Sequence, residues 1–435
     1  MAKIISLGEY NSLYKYIWFY VISRLVYVYF FTYQTIPLTF KPEKLRLDSF
    51  PNSTFTKELM DYLIMFIFSY ILLKYETWKI KKDCKKSSLN EKKITKNKIN
   101  INSLIYNKMS NNFTMRYTFF IFIILLVLSN ILINNYYIIG LSGLDFWIFE
   151  LIFISLINNM IFNYQIYKNQ KLAIYFIIII CSILTFLSII NIFNDDQQDT
   201  IYKEYIWITP LAIIGFILII FIKSFTYCKA KYYFDYKYLS VFKFLISVGI
   251  IGTIICLIAT IISSNIVCVK KQQFKYINSI CKLYDSEKKI KYYDNIIVFF
   301  RELYKNDKIF KGAYLILFFI KNINTFLTNL FTFLIIKYLS PEYCVISTSI
   351  YYLALEIFRF IDYLITDEYQ NFSIYNILSE LFAIIGGAIY LEFIELNFFG
   401  LNYHLKKSIS NRSRRESSQI QELSELDGEI DDELE

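Results

Sequence analysis

The sequence predicts an all-α, polytopic membrane protein in which ten transmembrane helices form two inverted five-helix repeats. Hydrophobic residues make up 56% of the 435 residues and charged residues only 19%, and the mean hydropathy is +0.39. The apolar residues are also gathered into long continuous windows. Because ordinary soluble domains carry about 25% charged residues, a soluble globular protein is excluded.

Ten apolar windows account for the predicted helices. A helix that crosses a bilayer needs about 17 to 25 mainly apolar residues, and runs such as the four isoleucines at 177–180 are continuous rather than alternating. In chain order the windows are 14–33, 58–75, 117–139, 145–164, 171–193, 206–223, 241–267, 310–338, 343–365 and 375–398.

The distribution of lysine and arginine predicts the orientation. With the two longest loops set aside, these residues are more abundant in the amino terminus, the even-numbered loops and the carboxyl tail than in the other loops. Short cytosolic loops are enriched in them, so both termini are predicted to be cytosolic. An endomembrane of the ER or Golgi type and the plasma membrane both remain open as the location.

Two long basic loops, 76–116 and 268–309, occupy equivalent places in the two groups of five windows. Since five is odd, the two groups insert in opposite senses, which is the pattern of an inverted repeat. We therefore divide the chain into a first half, 1–201, and a second half, 202–402. The remaining segment, 403–435, separates its basic and acidic residues and is predicted to be a disordered cytosolic tail.

The second long loop contains a candidate amphipathic helix. Ile296, Phe299, Phe300 and Leu303 recur at helical spacing among polar residues. This pattern predicts a helix that lies at the membrane interface.

Ionisable residues inside the apolar windows are the candidate site residues, because such groups are costly in a bilayer and mark functional positions. Hydroxyl-bearing neighbours share helical faces with them. The candidate substrate-binding residues are Arg24, Glu150, Lys321, Thr325, Thr328, Tyr352, Glu356 and Arg359. If the charged residues among them face one chamber, one positive charge is in excess, which favours an anionic solute.

A second interpretation of the same residues stays open. Glu356 and Arg359 lie three residues apart and can neutralise each other. Lys321 can extend its amino group to the membrane surface, and the threonine and asparagine side chains can simply join helices. In that case no polar chamber exists.

Small residues predict two close helix contacts, at Gly249 and Gly252 in the seventh window and at Gly386 and Gly387 in the tenth. Glycine lets the backbones of neighbouring helices approach each other.

Several kinds of chemistry are excluded. The single histidine, His404, excludes nearly all chemistry that needs imidazole. The seven cysteines show no metal-ligand spacing. We therefore expect that the protein is not an enzyme and that it has no catalytic residue, no cofactor and no metal site. Cys268 and Cys281 share the second long loop on the non-cytosolic side, where a disulfide is open to them.

Four short segments resemble the drug/metabolite transporter superfamily, which includes the nucleotide-sugar carriers. They are Leu339-Ser340-Pro341, Ile384-Ile385-Gly386-Gly387-Ala388, Gly143-Leu144-Asp145-Phe146-Trp147 and Tyr167-Lys168-Asn169-Gln170-Lys171. The segment from Leu391 to Asn402 is similar to the ending of uncharacterised multi-pass proteins of protists. The resemblance implies solute translocation by alternating access of two inverted halves around a central site.

The leading functional expectation is a multi-pass carrier of a small anionic metabolite. The alternative is a non-transporting membrane scaffold or assembly protein that acts through its cytosolic loops and tail. The expected partners are membrane lipids and a small-molecule substrate, without nucleic acid, and a homodimer is left open.

Overall fold

The computed structural model describes residues 14–31, 53, 55–90, 113–136, 148–162, 166–194, 208–264, 267–268, 283–285, 290–305, 313–366 and 374–394. The described residues form eleven helices and three short strands. In chain order they are α1 Lys15–Phe31, α2 Phe55–Asn90, α3 Phe113–Tyr136, α4 Ile148–Phe162, α5 Lys168–Asn194, α6 Ile208–Tyr236, α7 Val241–Ser264, β1 Val267–Cys268, β2 Leu283–Asp285, β3 Ile290–Tyr292, α8 Ile296–Lys305, α9 Ala313–Tyr338, α10 Pro341–Thr366 and α11 Ile374–Tyr390.

The all-α prediction is confirmed at the level of fold class, and each of the ten apolar windows contains a helix. Two of the described helical segments, Val241–Ser264 and Leu315–Tyr338, are long and apolar enough to cross a membrane. The helix α6 extends beyond the sixth window, which ends at Lys223, and continues to Tyr236. Lysines in the second part of α6 lower its hydropathy without interrupting the helix, because lysine is a good helix former.

Helix ends follow local chemistry. Pro341 begins α10, a position where its missing N–H costs no helix hydrogen bond. Asn295 precedes α8, and its Oδ1 accepts a hydrogen bond from the backbone N–H of Val298 at 3.1 Å. At the other end of the molecule, the Nζ of Lys231 on α6 donates to the carbonyls of Lys337 at 2.9 Å and Leu339 at 3.1 Å. That lysine satisfies carbonyls that the end of α9 leaves open.

The helices pack in a defined set of pairs. The most extensive contacts join α2 to α7 and α5 to α11. In addition, α1 packs on α9 and α10, α6 packs on α3 and α4, α9 packs on α2, α7 packs on α3, and α4 packs on α10. The largest buried cluster includes Leu126, Phe244, Phe326 and Ile336, so it draws on α3, α7 and α9 together.

The second long loop forms a small module. Its strands make an antiparallel sheet in the order β1-β3-β2, and Tyr292 on β3 lies opposite both Val267 and Leu283. The predicted amphipathic helix is confirmed as α8. Its apolar face, with Phe299 and Leu303, is buried against Leu283, Tyr292 and Phe318, so protein covers the face that was expected to meet lipid.

A residue of this module also caps the amino terminus of α2. Asp294 is fully buried, and its carboxylate accepts hydrogen bonds from the hydroxyls of Ser53 and Thr56 and from the backbone N–H groups of Phe55 and Thr56. A carboxylate at a helix amino terminus satisfies open N–H groups and interacts favourably with the helix dipole. Here the capping residue comes from the other half of the chain.

Candidate functional site

Arg24 lies in the middle of α1 with its guanidinium among tyrosine rings. Its Cζ is 4.7 Å from the ring centre of Tyr351, 5.6 Å from that of Tyr20 and 5.9 Å from that of Tyr352. Its Nη1 donates a hydrogen bond to the Tyr20 hydroxyl at 2.8 Å. Cation–π contacts and this hydrogen bond hold the charge inside the bundle without a carboxylate among these contacts.

Polar contacts fix α1 against its neighbours at the same level. The hydroxyls of Tyr20 and Thr348 are hydrogen-bonded at 2.9 Å, and those of Ser23 and Thr328 at 3.1 Å. The Asn324 amide donates to the Ser23 carbonyl at 2.7 Å. Arg24 is therefore presented by a helix that hydrogen bonds attach to both α9 and α10.

A second cation lies on α6. The Nζ of Lys223 is 2.9 Å from Oε2 of Glu150 on α4 and 5.2 Å from the ring centre of Tyr227. Glu150 is 1% exposed. Its other oxygen, Oε1, has no hydrogen-bond partner in the part of the chain that the structure describes.

Tyr227 connects the two cations. The Lys223 Nζ lies over its ring, and Glu150, Tyr20 and Arg24 are within electrostatic range of its hydroxyl. We call Tyr20, Arg24, Glu150, Lys223 and Tyr227 the central cluster. Two cations and one carboxylate leave it with one positive charge in excess.

The central cluster has the chemistry of an anion-binding site. Arg24 offers guanidinium N–H donors, and its planar fork suits carboxylate or phosphate oxygens. The hydroxyls of Tyr20 and Tyr227 can donate or accept. Glu150 can accept a hydrogen bond from a ligand through Oε1, which faces the protein interior.

The candidate residues from the sequence divide into two groups. Arg24, Tyr352 and Thr328 lie together beside α1, and Glu150 joins them through Tyr227. Lys321 and Thr325 instead interact with Asp61 on α2. Lys321 is seven residues, or about 10 Å along a helix, nearer the start of α9 than Thr328. Lys321, beside Asp61, therefore lies apart from the contacts around Arg24. A chamber shared by all the charged candidates stays a prediction.

The remaining pair is only partly described. Glu356 is buried on α10, whereas the side chain of Arg359 lies outside the described residues. The proposed neutralisation of Glu356 by Arg359 therefore stays a prediction.

Sequence reasoning missed four residues of this region, Lys223, Tyr20, Tyr227 and Tyr351, and it also missed Asp61 beside Lys321. Asp61 and Lys223 each stand near the edge of an apolar window, where a charge looks like the start of a loop. A search for charges within one helical turn of each window edge finds both. Tyr20 and Tyr351 carry no such signal in a chain with 39 tyrosines.

A separate polar contact joins α4 to α10. The Asn158 Nδ2 donates to Oε1 of Glu342 at 2.6 Å, and the Ser155 and Tyr390 hydroxyls are hydrogen-bonded at 2.9 Å. Asn158 is buried, whereas its neighbour Asn159 is exposed. The two asparagines therefore have different environments.

The predicted close helix contacts are present. A Cβ on Gly249 of α7 would lie 2.8 Å from the backbone nitrogen of Phe66 on α2, and one on Gly252 would overlap the Tyr62 ring. On α11, a Cβ on Gly386 would overlap the side chain of Ile177 on α5. Both of the most extensive helix pairs thus depend on glycine.

Cysteine and metal chemistry can be judged for part of the chain. Cys228, Cys256 and Cys344 are free and buried. Within the described ranges, no group of three or more His, Cys, Asp or Glu side chains could hold a metal ion. The disulfide left open between Cys268 and Cys281 cannot be followed, because Cys281 and the side chain of Cys268 lie outside the described residues, as does the tail 403–435.

Comparison with protein-family models and with curated proteins finds no match to this chain in either set.

Proposed function

We propose that this protein is a multi-pass membrane carrier, related to the drug/metabolite transporter superfamily, that moves a small anionic metabolite by alternating access. Ten of its helices cross the bilayer as two inverted halves, and the solute binds between them at the central cluster. The observation that carries the proposal is the presence of two partly buried cations, Arg24 and Lys223, on corresponding helices of the two proposed halves.

The packing of the helices supports the inverted repeat. A two-fold exchange of the halves would pair α1 with α6, α2 with α7, α3 with α9, α4 with α10, and α5 with α11. Under this exchange the α1–α9 contact becomes α6–α3, the α1–α10 contact becomes α6–α4, and the α2–α9 contact becomes α7–α3. Both members of each pair are present. The α2–α7, α4–α10 and α5–α11 contacts map onto themselves and are present too.

The same exchange relates the two cations. Arg24 is on α1 and packs on Tyr351 of α10, whereas Lys223 is on α6 and pairs with Glu150 of α4. Each cation therefore faces the fourth helix of the opposite half. Inverted-repeat carriers bind their substrates at the interface between repeats near the bilayer midplane, and both contacts join helices of opposite halves.

Counterflow tests the proposal. The purified protein is reconstituted into liposomes loaded with one unlabelled solute, and entry of the labelled solute is followed for a panel of organic phosphates, nucleotide sugars and dicarboxylates. We expect counterflow of at least one anion. Arg24→Gln and Lys223→Gln should each reduce it at least about tenfold, since an interaction with a charged group is worth roughly 1.5 to 3 kcal/mol.

Lys229→Gln is the matched control. Lys229 lies six residues after Lys223 on the same helix, and its Nζ lies over the rings of Phe225 and Tyr232 rather than at Glu150. This variant should retain the wild-type counterflow rate. If folded wild-type protein transports no member of the panel, the carrier is contradicted and the scaffold alternative is favoured.

A further inference from the structure

We propose that anion transport by this protein is coupled to protons, with Glu150 as the residue that binds the proton when an anion takes its place beside Lys223. This inference rests on the proposed carrier function and adds the coupling ion, its binding residue and the direction of coupling.

The geometry makes Glu150 depend on Lys223. The carboxylate is 1% exposed and its Oε2 is 2.9 Å from the Lys223 Nζ. Its Oε1 has no hydrogen-bond partner in the described part of the chain. A buried charge is tolerated when it is paired, and breaking a buried pair on one side costs several kcal/mol. Lys223 is therefore the cation that compensates the buried Glu150 carboxylate.

The groups that surround Glu150 do not replace Lys223. From α6, Tyr227 and Cys228 interact with Glu150 beside Lys223 itself. From α10, Cys344 interacts with Glu150, and Glu342 is bonded to Asn158. From α1, Arg24 is held by Tyr20 and Tyr351.

The helix that follows α4 in the chain offers no substitute either. The titratable side chains described on α5 are Lys168, Lys171 and Tyr175, in its first turns. Those turns follow the end of α4 after a short connection, whereas Glu150 lies in the first turn of α4.

A bound anion competes with Glu150 for Lys223. When the anion occupies Lys223, the Glu150 carboxylate loses its partner in a buried place, and a carboxylate in that situation is driven to bind a proton. The proton comes from the solution on the side to which the site is open, and it forms an O–H bond at Glu150.

On the opposite side the sequence of events reverses. The anion leaves, Lys223 returns to Glu150, the O–H bond breaks and the proton enters that solution. One proton accompanies each singly charged anion in the same direction, so this cycle moves no net charge.

Proteoliposomes distinguish this inference from the carrier function itself. Counterflow at equal pH on both sides, with the anion found above, needs no driving force and reports transport alone. Accumulation driven by a more acidic exterior reports coupling, and a pH-sensitive dye in the lumen reports proton entry. A gradient of one pH unit can sustain up to about tenfold accumulation for one-to-one coupling. The wild type is expected to approach this value and to lose it when a protonophore is added.

The variants are compared by the ratio of uptake with the gradient to uptake without it. Glu150→Gln should bring the ratio to one, whereas Glu150→Asp, which keeps a titratable carboxyl, should retain a ratio above one. Asp61→Asn is the matched control, because Asp61 also faces a lysine, Lys321, inside the bundle but lies outside the central cluster. Its ratio should remain that of the wild type.

Each result decides something different. Wild-type counterflow that is indifferent to the gradient and brings in no protons overturns the coupling while leaving the carrier intact. A gradient response that persists in Glu150→Gln overturns the assignment to Glu150. Absence of any counterflow by folded wild-type protein overturns the carrier and the coupling together.

Discussion

The carboxylate of Asp294 holds Thr56 by two bonds, although the two residues are 238 positions apart: the Thr56 N–H donates to Oδ2 at 3.0 Å and the Thr56 hydroxyl donates to Oδ1 at 2.6 Å. Asp294 belongs to the loop module of the second half, and Thr56 lies in the first turn of α2 in the first half. The contact thus attaches the module to α2 through a buried charge.

Removal of this carboxylate should destabilise the protein. Asp294→Ala leaves the two hydroxyls and two N–H groups that it satisfies without their acceptor, and loss of a helix cap together with buried unsatisfied donors costs about 3 kcal/mol. Thermal unfolding in detergent should show a clear fall in Tm. Asp235→Ala is the control, because the Asp235 side chain is 43% exposed and pairs with Lys231 on its own helix. An equal fall in both variants would contradict a special role for Asp294.

The close contact between α2 and α7 should be sensitive to a single methyl group. Gly249→Ala places a Cβ 2.8 Å from the backbone nitrogen of Phe66, so the two helices must separate, at a cost of about 1 to 3 kcal/mol. Gly215 on α6 has nothing within 4 Å of an added Cβ, and Gly215→Ala should leave the stability unchanged or raise it by up to about 1 kcal/mol. Thermal unfolding of the two variants side by side measures the difference. Equal stability would show that the α2–α7 contact is looser than described.

The stability lost by placing a negative charge at Asn158 should be regained by removing the negative charge of Glu342. Asn158→Asp sets two carboxylates against each other where the Asn158 amide now donates at 2.6 Å, and a buried like-charge pair is destabilising by several kcal/mol. Addition of Glu342→Gln restores a donor and an acceptor at this contact. The double variant should therefore regain much of the Tm that the single variant loses, and simple additivity of the two changes would refute the contact.

The two ends of α2 should be accessible from opposite sides of the membrane. Position 82 is exposed near the end of α2, and Ile297, 74% exposed, lies on α8 next to the Asp294 cap at the start of α2. Twenty-seven residues of helix between positions 55 and 82 span about 40 Å, more than the roughly 30 Å hydrocarbon core.

An impermeant maleimide added to sealed vesicles whose cytosolic face is inside should therefore label Ile297→Cys at once. Lys82→Cys should react only after permeabilisation. Peptide mapping separates these sites from the native cysteines. Labelling of both positions in sealed vesicles would contradict the crossing of α2.

The predictable part of the fold is the part determined by local composition. A long apolar run has few ways to satisfy its backbone other than a helix, so all ten windows contain one, and the spacing of Phe299 and Leu303 was enough to locate α8. Gly249 and Gly386 could be assigned to close contacts because glycine has no side chain to keep two helices apart, and its position can be read directly from the sequence.

The parts that were missed depend on tertiary partners. Lys223 was placed at the edge of a window because hydropathy averaged over many residues hides the contribution of a single charge. No residue near Lys223 in the sequence indicates that its partner is Glu150, 73 residues away. The Asp294 cap joins residues too far apart for any local pattern. The rings around Arg24 come from α1 and α10, so their association with the guanidinium exists only after the two helices have packed.

Lys231 has a mechanical consequence in a carrier of this design. Its ammonium group spans from α6 to the last carbonyls of α9, just before the turn into α10. If the solute enters or leaves at the end of the bundle where α9 turns into α10, that turn has two ways to move. It either moves together with α6 as one rigid unit, or both Lys231 hydrogen bonds break and the carbonyls become exposed to water. The rate of opening there would then be governed by a side chain that never touches the cargo.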